Sequence, residues 1–165
     1  VQTLDDTRYR VPNYMVDTVQ RQVAVPSLFW RGVGATQNGF FLECFLDEVA
    51  QAAARDPVEL RRELLAHDPR ALKVINLAAD KSGWAMPARP GRARGLAFVF
   101  SYGSLCAQVA EVSMADGRPR VHRITCVLDC GAVVLPDAVR AQVEGAVTQG
   151  LSAALGEAVR IERGR

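Results

Sequence analysis

From Asn38 onward the apolar positions fall into a helical rhythm. Phe41, Cys44, Phe45, Val49 and Ala52 stand at i, i+3, i+4, i+8 and i+11, the stripe of an amphipathic helix. Glu43, Asp47 and Glu48 lie in its N-terminal half, where the helix dipole favours negative charge. Asp56-Pro57 and Asp68-Pro69 then each put a capping acid ahead of a proline at the first helical position. They predict a second helix to about residue 65 and a third to about residue 81, closed by Gly83. Ahead of this run, alternating stretches at 8–16 and 18–25 read as extended segments cut by Pro12 and Pro26. Behind it, residues 84–94 turn rich in Pro, Gly and Arg, a connector whose three arginines are expected to be solvated rather than to bind an anion. Residues 95–100, 105–113 and 121–128 read as strands, and Asp116-Gly117 supplies the positive φ angles of a tight hairpin turn. Pro136-Asp137 opens a helix to about residue 155, and 159–161 alternate like a final strand. The pattern predicts an α+β fold: a three-helix run, then a small mixed sheet with a β-hairpin and one long packed helix. The texture changes between 1–83 and 84–165.

Composition narrows the function classes without choosing one. The chain has 165 residues, 49% apolar and 23% charged, with a net charge of +2, which is ordinary globular usage. So small a charge, spread along the chain, gives no footprint for nucleic acid. No apolar run reaches the roughly 20 residues of a membrane span, and no signal peptide opens the chain. Val1 in place of Met, and the alternating run at 158–163, read as ends cut inside a longer chain. The cysteines Cys44, Cys106, Cys126 and Cys130 make no C-x-x-C pair, and neither His67 nor His122 stands at zinc-ligand spacing from them. Cys126 and Cys130 fall on one side of a strand some 13 Å apart at ~3.3 Å per residue, too far for a disulfide. All four are expected to be reduced, small core hydrophobes.

Two stretches carry candidate chemistry. In Phe29-Trp30-Arg31-Gly32-Val33-Gly34-Ala35-Thr36-Gln37 an arginine follows two aromatics and precedes two spaced glycines at a helix entry. Glycines there let a ligand approach the backbone, and helix-entry amides favour anions or carbonyl oxygens. The plainer reading is a Gly-rich turn with a surface arginine and two core aromatics. A nucleotide fingerprint does not fit, because no strand–Gly-loop–helix unit surrounds it. In the late helix, Gln142, Gly145, Ala146 and Gln149 share one stripe. Two glycines inside a helix cost up to about 1 kcal/mol each against alanine, which close packing on a strand or a flat polar ligand would offset. No nucleophile–base order, paired carboxylates or metal-binding histidines are visible. Glu43, Glu48 and Glu144 are expected to be solvated, His122 to face outward, and Asp129 to cap backbone amides on the way to Pro136.

Together these stretches resemble the molybdopterin-binding region of the xanthine dehydrogenase/aldehyde oxidase family. The resemblance rests on the 29–37 loop, Glu43-Cys44-Phe45-Leu46-Asp47-Glu48-Val49-Ala50, and Asp56-Pro57-x-Glu59-Leu60-Arg61. It continues in Phe100-Ser101-Tyr102-Gly103, Val127-Leu128-Asp129-Cys130-Gly131, Pro136-Asp137 and the run from Ala141 to Leu151. Within the family it is nearest to the large (beta) subunits of the isoquinoline 1-oxidoreductase type, of which this chain would be a fragment. The resemblance implies an oxidoreductase that hydroxylates an N-heterocycle or aldehyde with water-derived oxygen. Its cofactor would be molybdenum–molybdopterin in the cytosine dinucleotide form, with 2Fe-2S clusters on a small iron–sulfur partner subunit. It implies cofactor contacts at Phe29, Trp30, Arg31, Gly32 and Gln142, and a substrate-pocket position at Val33, where the family often has an aromatic. It places the catalytic glutamate, in a Gly-Glu-Pro motif, beyond Arg165, so the fragment alone is expected to be inactive. Gly156-Glu157-Ala158 lacks the proline. The alternative is a non-catalytic scaffold or partner-binding domain that keeps the family fold. The compartment stays open between cytoplasm and periplasm, with unpaired cysteines leaning to the former.

Overall fold

A computed structural model describes residues 1–25 and 28–163; the break expected at Pro26 lies outside them. Helices α1 (Gly34–Ala52), α2 (Pro57–Leu64) and α3 (Pro69–Ser82) precede strands β1 (Ala93–Ser101), β2 (Ser104–Ala115) and β3 (Arg118–Asp129), and helix α4 (Pro136–Leu155) follows. Two units divide the chain. Val1–Gln20 and Phe29–Cys130 form one, with α1 to α3 and the sheet; Arg21–Leu28 and Gly131–Arg165 form the other, with α4.

The Asp-Pro pairs act through local geometry. Asp56 accepts from the Val58 and Glu59 amides at 2.8 and 3.1 Å, and Asp68 from Arg70 and Ala71 at 3.1 Å each. Gly83 closes α3 in the left-handed conformation, φ 69°, which glycine adopts without a Cβ penalty. Helix α1 starts four residues earlier than Asn38, directly behind a turn at Gly32 and Val33.

The sheet is antiparallel throughout, in the order β1-β2-β3. The expected mixed sheet is thereby corrected, and the turns explain why. Tyr102-Gly103 and Asp116-Gly117 both have positive φ (48° and 76°, 51° and 73°), as two-residue hairpin turns require. A parallel neighbour would need a crossover of a dozen or more residues. One sheet face, with Leu96, Phe98, Leu105, Ala107 and Val109, joins Val58, Leu65, Val74 and Ile75 in the core. The other face carries Gly95, Ala97 and Val99 opposite Ala110, Gln108 and Cys106.

Four further expectations are corrected. Residues 159–161 form no strand. No residue of α4 is buried, where a packed helix was expected. Residues 8–25 are irregular rather than strand-like. Arg92 and Arg94 are not simply solvated either. Both pair with Glu111, and Arg94 also donates to the Gly83 carbonyl at 2.6 Å and the Met86 carbonyl at 2.8 Å.

Helix α1 buries a different face from the one its bulky residues mark. Ala35, Gly39, Glu43, Leu46 and Ala50 are buried, whereas Phe41 and Phe45 are 60% and 61% exposed and Cys44 is exposed. The cause is steric. A Cβ on Gly39 would stand 3.0 Å from Val99 Cγ2, so the helix approaches the sheet along its small side chains.

Candidate cofactor loop and a buried charge cluster

Backbone hydrogen bonds wind the 29–34 loop tightly. The Val33 amide donates to the Trp30 carbonyl at 2.9 Å and the Ala35 amide to the Gly32 carbonyl at 3.0 Å. Thr36 Oγ1 donates to the Arg31 carbonyl at 2.8 Å. Gly32 has φ 89°, and a Cβ there would fall 2.4 Å from Thr36 Oγ1. Val33 follows at φ 49°, ψ −130°, a strained conformation for a β-branched residue. Residues distant in sequence hold the turn. The Gly34 amide donates to Gln2 Oε1 at 3.0 Å, Asn38 Nδ2 to the Gln2 carbonyl at 2.9 Å, and Gln2 Nε2 to the Tyr102 hydroxyl at 2.9 Å. Phe29 is 89% exposed and Trp30 is also exposed, so the reading of two core aromatics does not hold.

The loop gathers Phe29, Trp30, Arg31, Gly32 and Val33 in one unit, while Gln142 belongs to α4 in the other. Gln2 and Tyr102 are the buttresses that spacing alone missed; Tyr102 carried a signal in its Tyr-Gly turn, and Gln2 carried none. Asp129 receives Arg70 Nε and Nη2 at 2.8 Å each, an ion pair not foreseen for it. His122 faces outward as expected and meets Ser113 Oγ at 2.8 Å. Of the four cysteines none is buried, which corrects their assignment to the core. Among the described residues, no group of three or more His, Cys, Asp or Glu could hold a metal ion.

Glu43 is not solvated. It is 4% exposed, accepting from Arg61 Nε at 3.0 Å and from the Phe98 amide at 2.8 Å, both at Oε2. The fully buried Arg61 also donates to Asp47 at 2.7 Å, the Glu43 carbonyl at 3.0 Å and the Pro57 carbonyl at 3.1 Å. Glu43 Oε1 and the Tyr9 hydroxyl are both buried in this cluster, close enough for each to act on the other's protonation. Burial pushes the Glu43 carboxyl above its ordinary range against the pull of Arg61, and burial with the nearby Glu43 charge holds the Tyr9 hydroxyl well up. Burial opposes the Arg61 charge, yet Glu43, Tyr9 and Asp47 raise its pKa above the usual value. A signal for this cluster lay in the spacing Ala35, Gly39, Glu43, a small-residue stripe on which an acid is out of place. Beside it a groove of about 510 Å³ opens between α1 and the outer sheet face, lined by Gly39, Phe40, Glu43, Ala97, Cys106 and Gln108 among others. None of Phe29 to Val33 lines it.

The molybdopterin cofactor-binding domain model matches residues 31–165, and the chain belongs to that family. It is 35% identical over 161 residues to the beta subunit of isoquinoline 1-oxidoreductase from Brevundimonas diminuta, covering 94% of this chain and 21% of the relative. It is 34% identical over 157 residues to a subunit of the nicotinate dehydrogenase of Pseudomonas putida, covering 84% and 13%. It is 30% identical over 183 aligned positions to the membrane-bound aldehyde dehydrogenase (pyrroloquinoline-quinone) of Gluconacetobacter polyoxogenes, covering 96% and 24%. The chain thus spans between 13% and 24% of the length of the curated relatives it matches. No solved structure matches it significantly. Among the described residues no helix is long and apolar enough to cross a membrane.

Proposed function

We propose that this chain is part of the molybdenum-cofactor-binding catalytic subunit of an oxidoreductase that hydroxylates an N-heterocycle or an aldehyde with water-derived oxygen. The observation that carries the reading is the family match, which begins at Arg31 and runs through Gln142 to the end of the chain. The donor set fits the group. Arg31 supplies a guanidinium and Gln142 a carboxamide, N–H donors suited to oxo, phosphate and pterin acceptors. Gly32, without a Cβ, lets a ligand close on the backbone of Phe29 and Trp30. When bound, the cofactor supplies oxygen transfer and accepts two electrons. The protein's part is binding, orientation and electrostatics: Arg31 holds the negatively charged end, Gln142 the pterin, and Val33 one wall of the substrate pocket. A smaller side chain than an aromatic leaves that wall roomier. The cytosine dinucleotide form of the cofactor and a small partner subunit with 2Fe-2S clusters complete the proposal.

The test is the molybdenum content of the full-length protein, co-expressed with its iron–sulfur partner. The expected result is near one molybdenum per subunit, falling sharply in folded Arg31→Ala and Gln142→Ala variants. Folded wild-type protein without molybdenum would instead favour a scaffold that keeps the family fold without the chemistry. Turnover by residues 1–165 alone would overturn the reading of this chain as an incomplete part.

A further inference from the structure

The outer face of the sheet carries a second chemistry that the cofactor reading does not use. Cys106 on β2 and Cys126 on β3 are not directly opposed. The register sets Cys106 against Leu128 and Gln108 against Cys126, so the two cysteines are diagonal neighbours on one face. Their sulfurs are nevertheless 3.6 Å apart, and Gln108 Nε2 is 3.9 Å from Cys106 Sγ. Neither side chain is fully buried, and Cys106 and Gln108 line the groove beside α1.

The geometry separates two fates for such a pair. A disulfide needs the sulfurs at about 2.05 Å and the Cα atoms within about 7 Å. Diagonal partners in an antiparallel sheet stand roughly 7–8 Å apart, and the paired ladder of β2 and β3 resists closing that gap. A single bridging ion needs no such movement. With metal–sulfur bonds of about 2.3 Å in a tetrahedral site, two thiolates on one ion lie about 3.8 Å apart, close to the separation found.

We propose that Cys106 and Cys126 form a two-thiolate clamp for one soft, thiophilic d10 cation. Soft thiolate ligands select copper(I) and zinc-like ions over hard cations. The Gln108 side chain lies beside the pair, and reversing its amide would offer the carboxamide oxygen as a third ligand. With no third acidic, histidine or cysteine ligand among the described residues, the remaining positions are left to water or a small ligand from the groove. Capture breaks two S–H bonds and forms two metal–sulfur bonds; two protons leave, and nothing is oxidised or reduced. The clamp ties β2 to β3 and occupies the floor of the groove. It is independent of the molybdenum reading.

The test is an anaerobic cadmium(II) titration of the full-length protein, reduced and stripped by a chelator, followed by the thiolate-to-cadmium ultraviolet band. One equivalent present in wild type should disappear in Cys106→Ser and in Cys126→Ser, with affinity down about 10–100-fold or more, since even outer-shell losses cost that much. Cys44→Ser and Cys130→Ser should keep it, and molybdenum content should not change in any of the four. Cys106→Ala and Cys126→Ala, checked for cooperative unfolding, separate ligand loss from misfolding. Superimposable titrations of wild type and folded Cys106 or Cys126 variants would overturn the clamp. So would a wild-type protein that binds no cadmium there but joins the two cysteines on mild oxidation.

Discussion

Arg61 is the residue that fastens two helices, since its guanidinium joins α2 to a side chain, a backbone carbonyl and a second acid of α1. Removing one partner of a buried pair leaves the other charge uncompensated, at a cost of about 3–5 kcal/mol. Arg61→Ala should lose that much in urea unfolding, whereas Arg62→Ala, on an exposed pair with Glu59, should change stability by under ~1 kcal/mol. Two acids should shape the pH profile in opposite directions. Glu43 has a folded-state pKa above 4.5, so the folded protein binds its proton more tightly. Its contribution is complete below that value and is lost as pH rises through the folded-state pKa. Asp68 is held below 3.8: the Ala71 amide and Arg8 outweigh its burial. Its contribution is present above 3.8 and is lost as pH falls through the lowered folded-state pKa. Denaturant titrations across pH should show Glu43→Gln flattening the first limb and Asp68→Asn the second. The caps at Asp56 and Asp68 were legible because each bonds amides two and three residues ahead. Glu43 was not, because its partners lie 18 and 55 residues away.

At the scale of elements, the turn into α1 stores strain at Val33, and the prediction follows from its sign. Relief of a residue in a sparsely populated region is worth roughly 1–3 kcal/mol, against roughly 0.5–1 kcal/mol of added chain entropy for glycine. Val33→Gly should therefore leave the protein equally or more stable, while Gly32→Ala, at φ 89° and with a Cβ against Thr36, should destabilise it by about 1–2 kcal/mol. Thermal melts of the two variants check both; loss of more than about 1 kcal/mol in Val33→Gly would mean the turn is not strained. The strands were legible from alternation and from Asp116-Gly117. The antiparallel pairing of β1 with β2 is less legible, because the second tight turn is Tyr102-Gly103, whose first position lacks the usual Asn, Asp or Gly signal. The buried face of α1 was misread for a different reason. Periodicity ranks residues by hydrophobicity, but a close helix–sheet approach is decided by the absence of bulk, as at Gly39 against Val99.

For the whole molecule, α1 exposes Phe40, Phe41, Phe45 and Val49, and large exposed apolar patches mark interaction sites. Residues 1–165 expressed alone should self-associate in sedimentation, and Phe41→Glu with Phe45→Glu should return them toward monomer without loss of helix content. That surface was legible as a stripe, but not as an exposed one, since nothing in a local pattern says which side the rest of a fold will cover. The cofactor loop was legible as a motif, though its support from Gln2 and Tyr102 was not, because those contacts close over 32 and 100 residues. Glu43 has a last consequence, at the rim of the sheet. Among the described residues strand β1 pairs with β2 alone, and the Phe98 amide is taken by a carboxylate from α1. A stray strand seeking to extend the sheet there meets a missing donor and an acid in its path, the kind of inward-pointing charge that guards open edges. The residue that fastens helix to sheet also takes one hydrogen-bond donor away from that open edge. Glu43→Ala should therefore shorten the lag before thioflavin-positive aggregates form, even where most of the protein remains folded.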